Sequence, residues 1–383
     1  MISYVIATKD RPERLRKTLM AIAGLGDHAA AGGAEVIVVD NNSRERGILP
    51  RRLSSGIDVR EIRLSVNEGA AARNRGVALA DSSSEWVVLL DDDSHPDDTS
   101  FPSVLAQAPA DVAALSADIF LPPPRHGSQG APRESGGLPE VFIGCGVAIR
   151  RSVFLDLGGY DRTFNYYAEE YDLAARIIAA GHRVRFAPEF TVHHAKDASR
   201  RDMNLIVSRL VRNNGWVAAR YAPDEARATE LRTVRTRYRS IARFEDALSG
   251  YREGLLALRQ TVHAQVRTPL SNDHWDRFTG LAAARTHLSG AFAQARFASA
   301  TIVDHGKNAW VVALALRELG VKLVDDGEEA EAIVIGTMSP GPMLDALDRR
   351  WRARRAHSPR LLAPWMPSDP AISPSVRASS HAA

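Results

Sequence analysis

Residues 86–98, WVVLLDDDSHPDD, decide how this chain reads. Trp86, Val87, Val88, Leu89 and Leu90 form an apolar run that ends abruptly in Asp91, Asp92 and Asp93, with Asp97 and Asp98 close behind. An ordinary turn needs one Asp, so the crowding asks for an explanation. Outward from this stretch, three more short β-rich runs stand at 2–8 (ISYVIAT), 34–40 (AEVIVVD) and 59–64 (VREIRL). Between the first two, Leu15, Leu19, Ile22 and Ala23 recur at helical spacing behind Pro12. Residues 68–82 predict another helix, entered through Gly69. Alternation of this kind predicts βα units around a mostly parallel sheet. Three of the strands end in polar groups: Thr8 with Asp10, Asp40, and Asp91. Ligands of open α/β sheets bind outside the strands' carboxyl ends. Helix capping explains any one such residue, and explains three less well.

The Pro- and Gly-rich residues 108–140 are expected to form a mobile loop beside the site. A strand, a turn and a short helix follow over 141–164, and from about Ser199 to Ala295 only amphipathic helices are indicated. Strand signals return at Ala300, in a small Rossmann-like α/β unit whose first turn, DHGKNA (304–309), has only Gly306 where a dinucleotide fingerprint needs G-x-G-x-x-G. A structural or acceptor-side role suits this unit better than dinucleotide binding. The expected division is 1–215, a helical segment 216–298, the small unit 299–365, and a disordered tail 366–383.

A chain of 383 residues exceeds the size at which single cores stop growing. It is 45% hydrophobic and 25% charged, as a globular protein should be. Net charge is only +3, so no nucleic-acid partner is implied, and the arginine-rich run 349–355 reads as a solvated helix face. The single cysteine, Cys145, excludes an internal disulfide and any multi-cysteine metal framework, and fits a reducing compartment. The apolar part of the first segment is too short for a secretory signal, and no run nears the roughly 18 apolar residues of a membrane span. A cytoplasmic location is expected. The C-terminal unit is a candidate for mediating homo-oligomer assembly.

Mg²⁺ or Mn²⁺, held by one or two carboxylates and by substrate phosphate oxygens, would offset the repulsion at Asp91 to Asp93. On an extended segment Asp91 and Asp93 point the same way, which would let Asp93 touch the metal while Asp91 faces the sugar or ribose.

Seven motifs then occur in order: ATKDRPERL (7–15), VVDNNS (38–43), NEGAAARNRG (67–76), LLDDDSHP (89–96), GCGVAIRRSVFLDLGGYDRTF (144–164), EEYDLAARI (169–177) and VHH (192–194). In this set the chain resembles the family 2 glycosyltransferases, inverting enzymes of the GT-A fold, over about residues 1–220. The resemblance implies a nucleoside-diphosphate sugar donor, carried by UDP or dTDP, and an acceptor hydroxyl. Thr8, Asp10, Arg11, Asp40 and Asn42 would line the nucleotide pocket, Asp40 accepting from a pyrimidine ring N–H. Arg73 would lie over base and diphosphate, unless it is a solvated helix residue like Arg75, and Asp91 and Asp92 would join the donor site. Glu170 matches the base that deprotonates the acceptor, where the family normally has Asp, and Glu169 would orient the acceptor or cap the helix. Asp172 and Arg176 suit a structural ion pair. His193, in preference to His194, would be a further ligand to the metal beside Asp93. Gly144 and Cys145 would floor the acceptor subsite, since no base partner suggests a cysteine nucleophile. Two rival readings are a nucleotidyltransferase, disfavoured by the glycine-free turn after the first strand, and a non-catalytic nucleotide-sugar-binding subunit.

Overall fold

The computed structural model describes residues 1–26, 28, 32–45, 47–97, 101–123, 130–196, 201–325, 329–354 and 358–367. The first part of the chain runs β1 (Ile2–Thr8), α1 (Pro12–Gly24), β2 (Ala34–Asp40), β3 (Asp58–Arg63), α2 (Ala72–Leu79), β4 (Trp86–Asp91) and β5 (Ser94–Pro96). It continues through α3 (Phe101–Ala106), β6 (Val112–Phe120), β7 (Gly146–Arg150), α4 (Arg151–Asp156), α5 (Glu169–Ala179) and β8 (Arg183–His194). Helices α6 (Met203–Tyr221), α7 (Asp224–Phe244), α8 (Leu248–Thr261), α9 (Asn272–Thr279) and α10 (Leu281–Gln294) follow. The chain closes with β9 (Ser299–Val303), α11 (Ala309–Glu318), β10 (Lys322–Leu323), β11 (Ala332–Ile335), α12 (Pro340–Ala353) and β12 (Arg360–Leu362).

The large sheet has the order β3-β2-β1-β4-β7-β6-β8-β5. Its β1, β2, β3 and β4 pair in parallel, whereas β7 runs antiparallel to both neighbours. The central strands are apolar throughout because both faces are covered. Tyr4, Ile6, Val36, Val38, Val88 and Leu90 pack with Leu15 and Leu19 of α1. The intervening Val5, Ile37, Val39, Val87 and Leu89 pack with Val77 of α2 on the opposite face. Register places Thr8 opposite Asp40 and Ala7 opposite Asp91, so the polar ends of β2, β1 and β4 share one edge. The chain leaves β1 toward β2 on one side and returns to β4 on the other, which makes this edge a topological switch point. The fold is the expected α/β arrangement around a mostly parallel sheet.

Two expectations need correction. Residues 108–140 are not one loop: Val112–Phe120 is a buried strand between β7 and β8. Its Ala, Ser and Asp content hides a nine-residue strand, and the Pro and Gly cluster begins only after it. The division expected after residue 215 falls inside α6, a continuous helix of 19 residues. One apolar cluster joins Leu173 and Ile177 of α5 to Trp216, Leu258, Phe278, Val311 and Trp365, so the later elements share the core of the first. The second sheet, β10-β9-β11-β12, is wholly parallel. Asp304 at the end of β9 is held by Arg349 at 2.7 Å, and Gly306 donates to Gly336 O at 2.8 Å. That turn is occupied by its own chain. The expected tail, beyond Pro367, lies outside the described residues.

Candidate active site

At the shared edge the acidic run is met by arginines of the same chain. Thr8 donates to Asp92 Oδ2 at 2.8 Å, Arg11 pairs with Asp92 Oδ1 at 2.7 Å and also with Asp93, and Arg14 lies 3.2 Å from Asp93. On the other face Arg73, 5% exposed, donates to Leu90 O at 3.1 Å and pairs with Asp91. Arg73 is therefore an inward residue, while Arg75 is exposed toward Glu68. The three carboxylates do not depend on a cation for balance, contrary to the argument from repulsion.

Their directions differ from the alternation rule as well. The strand ends at Asp91, whose N–H donates to Ser94 Oγ at 2.8 Å, and Asp92 and Asp93 form the turn so closed. Asp91 and Asp93 consequently face opposite sides. The Asp93 side chain is 5% exposed and occupied by arginines, whereas that of Asp91 is 37% exposed. Asp91, and not Asp93, lies within 4.8 Å of ligand atoms of both Cys145 and His194. Burial pushes the Asp92 carboxyl up to about 7 despite Arg11 and Thr8.

The histidines exchange roles likewise. Pairing of β5 with β8 sets His194 opposite Ser94 and His193 opposite His95. His193 turns outward to Asp97 at 2.8 Å, so it is His194 that reaches the cluster. His194 Nε2 lies 3.4 Å from Asp93 Oδ1, and its Nδ1 lies 3.0 Å from Glu134 Oε2 and 3.6 Å from Cys145 Sγ. Burial opposes its charge, but Asp93, Cys145 and Glu134 push it up to about 12. Burial would likewise raise the Glu134 carboxyl, yet His194 and Lys196 hold it down at about 2. One ligand atom each from Asp91, Cys145 and His194 lies within 4.8 Å of the others. These groups fit a divalent cation once His194 gives up its proton, and the imidazole and thiol make the set softer than the oxygen shell Mg²⁺ favours. Cys145 is therefore beside the candidate cation position, while Gly144 lies against Glu170, its backbone N–H donating to that carboxylate.

Glu169 and Glu170 open α5 behind an unusual turn in which Asn165, Tyr167 and Ala168 all have positive φ (62°, 74° and 66°). Such conformations cost about 1–3 kcal/mol each and persist only where surroundings enforce them. Here Asn213 of α6, fully buried, reaches the carbonyls of Phe164, Tyr166 and Tyr167 at 3.0, 2.9 and 2.7 Å. Gly69 (φ 65°) lets the turn approach, because a Cβ there would run into the Asn165 carbonyl. Burial raises both carboxyls, and the repulsion from Glu170 drives Glu169 higher still. The charges of Arg73 and Asp91 reach Glu170, so the two glutamates lie near the β4 end. Asp172 accepts from Arg176 at 2.7 Å, the expected ion pair.

Beside the β1 and β2 ends, a shallow cleft open to solvent is lined by Thr8, Arg11, Asp40, Ser43, Leu49 and Glu61 among others. Asp40 accepts from Ser43 N–H at 2.8 Å. Asp10 and Asn42 brace the turns instead of lining the cleft. Asp10 bonds to Ser43 Oγ and Arg44 N–H at 2.9 and 2.6 Å, and the Asn42 carbonyl accepts from Lys9 at 2.7 Å.

Glu134 and Asn213 escaped the sequence reading. The available signal for Asn213 was its place on the helical face of Ile206, Leu210 and Val217; for Glu134, beside Pro and Gly, there was none. Asn213→Ala is expected to cost about 1–3 kcal/mol, since three carbonyls lose a buried partner. Urea denaturation measures it, and an unchanged midpoint would show that the turn stands without Asn213.

The model of "Glycosyl transferase family 2" matches residues 3–158. Among curated proteins, the pre-mycofactocin glycosyltransferase of Mycobacterium tuberculosis (strains CDC 1551 / Oshkosh and ATCC 25618 / H37Rv) is 27% identical over 218 residues, covering 52% of this chain and 44% of that protein. The chain thus spans less than half the length of these relatives. Among solved structures, Staphylococcus aureus TarS 1–349 in complex with UDP-GlcNAc matches 84% of this chain and 92% of its own, at 15% identity and TM-score 0.48. GalNAc-T7 with UDP, GalNAc and Mn²⁺ matches 58% of this chain and 48% of its own, at 18% identity and TM-score 0.47. The mannosyltransferase PcManGT of Pyrobaculum calidifontis with GDP-Man and Mn²⁺ matches 83% and 86%, at 16% identity and TM-score 0.44. Among the described residues no helix is long and apolar enough to cross a membrane.

Proposed function

We propose that this chain is a metal-dependent inverting glycosyltransferase that moves a sugar from a UDP- or dTDP-linked donor to an acceptor hydroxyl. The observation that carries the reading is Glu170: a half-buried carboxylate with a raised proton affinity, at the start of α5, near Asp91 and Arg73. Such a group is suited to take a proton from the attacking hydroxyl. Arg73 offers forked donors to the donor's diphosphate. Asp40, Thr8 and Arg11 line a cleft at the ends of β1 and β2, and a carboxylate there suits the N3–H of uracil or thymine. Asp91 and His194, with Cys145 beside them, would hold a divalent cation. Bound there, Mn²⁺ or Mg²⁺ would neutralise charge on the departing diphosphate. Burial and the charge of its neighbour raise the proton affinity of Glu169, and in its protonated form it would donate a hydrogen bond to the sugar or acceptor.

Thermal shift with UDP, dTDP and GDP sugars, each with and without Mn²⁺, tests the donor half. A pyrimidine ligand at 100 times its Kd stabilises the native state by about 2.7 kcal/mol. The expected result is a rise in Tm of several degrees with UDP or dTDP sugars that needs Mn²⁺. A larger shift with GDP sugars would remove the pyrimidine assignment, and no shift with any donor would remove the proposal.

A further inference from the structure

Lys307 lies in the turn between β9 and α11, far in sequence from every motif of the glycosyltransferase domain, yet it reaches α5. Its Nζ sits 3.7 Å from the centroid of the Tyr171 ring, and Tyr171 directly follows Glu170. The turn is held from three sides. Met338 N–H donates to Lys307 O at 2.9 Å, Asn308 Nδ2 donates to Thr279 O at 2.9 Å, and Gly306 N–H donates to Gly336 O at 2.8 Å. The later unit is also fastened to the strip that carries Glu134 and Gly144. Gly136 N–H donates to Ser339 Oγ at 3.1 Å, and Arg133 Nη1 pairs with Asp345 at 2.9 Å. Lys307 is therefore presented to the site by packed structure.

The other cations here are spent on the chain itself: Arg11 on Asp92 and Asp93, Arg73 on Asp91, Lys196 on Glu134. Among the described residues no carboxylate lies within ion-pair distance of Lys307 Nζ, and no acceptor takes a hydrogen bond from it. An ammonium has three N–H donors, and half-buried Lys307 spends none of them on the described residues. Burial pushes it down to about 7, and the one charge that opposes this is that of Glu170. Its seat over the Tyr171 ring puts the ammonium beside the first turn of α5, which begins with Glu169 and Glu170.

We infer that Lys307 belongs to the acceptor subsite and binds an anionic oxygen group, a carboxylate or a phosphate, on the molecule whose hydroxyl faces Glu170. This rests on the reading of Glu170 as acceptor base. The later α/β unit would then furnish a wall of the active site, and the acceptor would be an acidic hydroxyl compound.

Full-length protein saturated with UDP and Mn²⁺ is titrated by calorimetry with methyl glucuronoside, glucose 6-phosphate and neutral methyl glucoside. Saturating UDP keeps the phosphate probe out of the donor site, and the two acidic probes separate carboxylate from phosphate recognition. The expected result is at least tenfold tighter binding of one acidic probe than of methyl glucoside. Lys307→Met should erase that preference and Lys307→Arg retain it, with UDP affinity equal in all three proteins as evidence of folding. Equal affinity for acidic and neutral probes in the unmodified protein, or a preference that survives Lys307→Met, would overturn the inference. Failure of the unmodified protein to bind UDP would overturn the glycosyltransferase reading, and this inference with it.

Discussion

Glu170→Gln is expected to lower kcat by about 10²–10⁴-fold, the usual contribution of a positioned base, while UDP affinity stays within about twofold. The amide keeps the shape and can still accept from Gly144 N–H, but it cannot take a proton. The pH profile carries the same information. Burial raises the Glu170 carboxyl above the ordinary carboxylate range. A base must be ionised to act, so kcat/KM should climb with pH through that raised value and level off above it. The acid limb belongs to the Glu169–Glu170 pair, whose protons leave in coupled steps. Glu170→Gln should remove the limb along with the rate. Turnover near that of the unmodified protein would reject Glu170 as the base.

Asp172→Ala is expected to destabilise the fold by about 3–5 kcal/mol, as breaking a buried ion pair from one side does. Asp172 is fully buried, and its carboxylate accepts from Arg176 and Arg220 at 2.7 and 2.8 Å and from the Tyr221 hydroxyl at 2.7 Å. Removing it takes away the carboxylate the two arginines share: Arg176 keeps the Leu157 and Gly159 carbonyls at 2.6 and 2.7 Å, and Arg220 keeps Asp161 and Gln265 Oε1 at 2.7 and 2.8 Å. Because these bonds tie α5 to α6, the loss also loosens the helix that begins with Glu169 and Glu170. Chemical denaturation with an unchanged m-value measures the cost, and a loss below about 1 kcal/mol would mean the network relaxes around the gap.

Parts of this site were legible and parts were not. Asp172 with Arg176 could be read because helix geometry fixes which residues meet four positions apart. Arg73 and Arg75 could be told apart for the same reason. The choice between His193 and His194 depends on which face of β8 looks toward the carboxylates, and that is set by its pairing with β5, a partner about a hundred residues earlier. The choice between Asp91 and Asp93 failed for a local reason: the strand stops at Asp91, and a turn resets the direction of the next side chains. Arg11 and Arg14 stood in plain view within a recognised motif. Their pairing with Asp92 and Asp93 needed the crossing of α1 over the end of β4.

By itself, then, the order of apolar runs determined the alternation of strand and helix, and the order of motifs carried the family resemblance, because both are written in short-range spacing. Tertiary structure decided which of two neighbouring acids or histidines lies near Cys145, how the carboxylates are balanced, and that Lys307 lies over Tyr171, the residue after Glu170. Those outcomes depend on strand register and on packing between segments far apart in the chain. A single sequence carries no local signal for either.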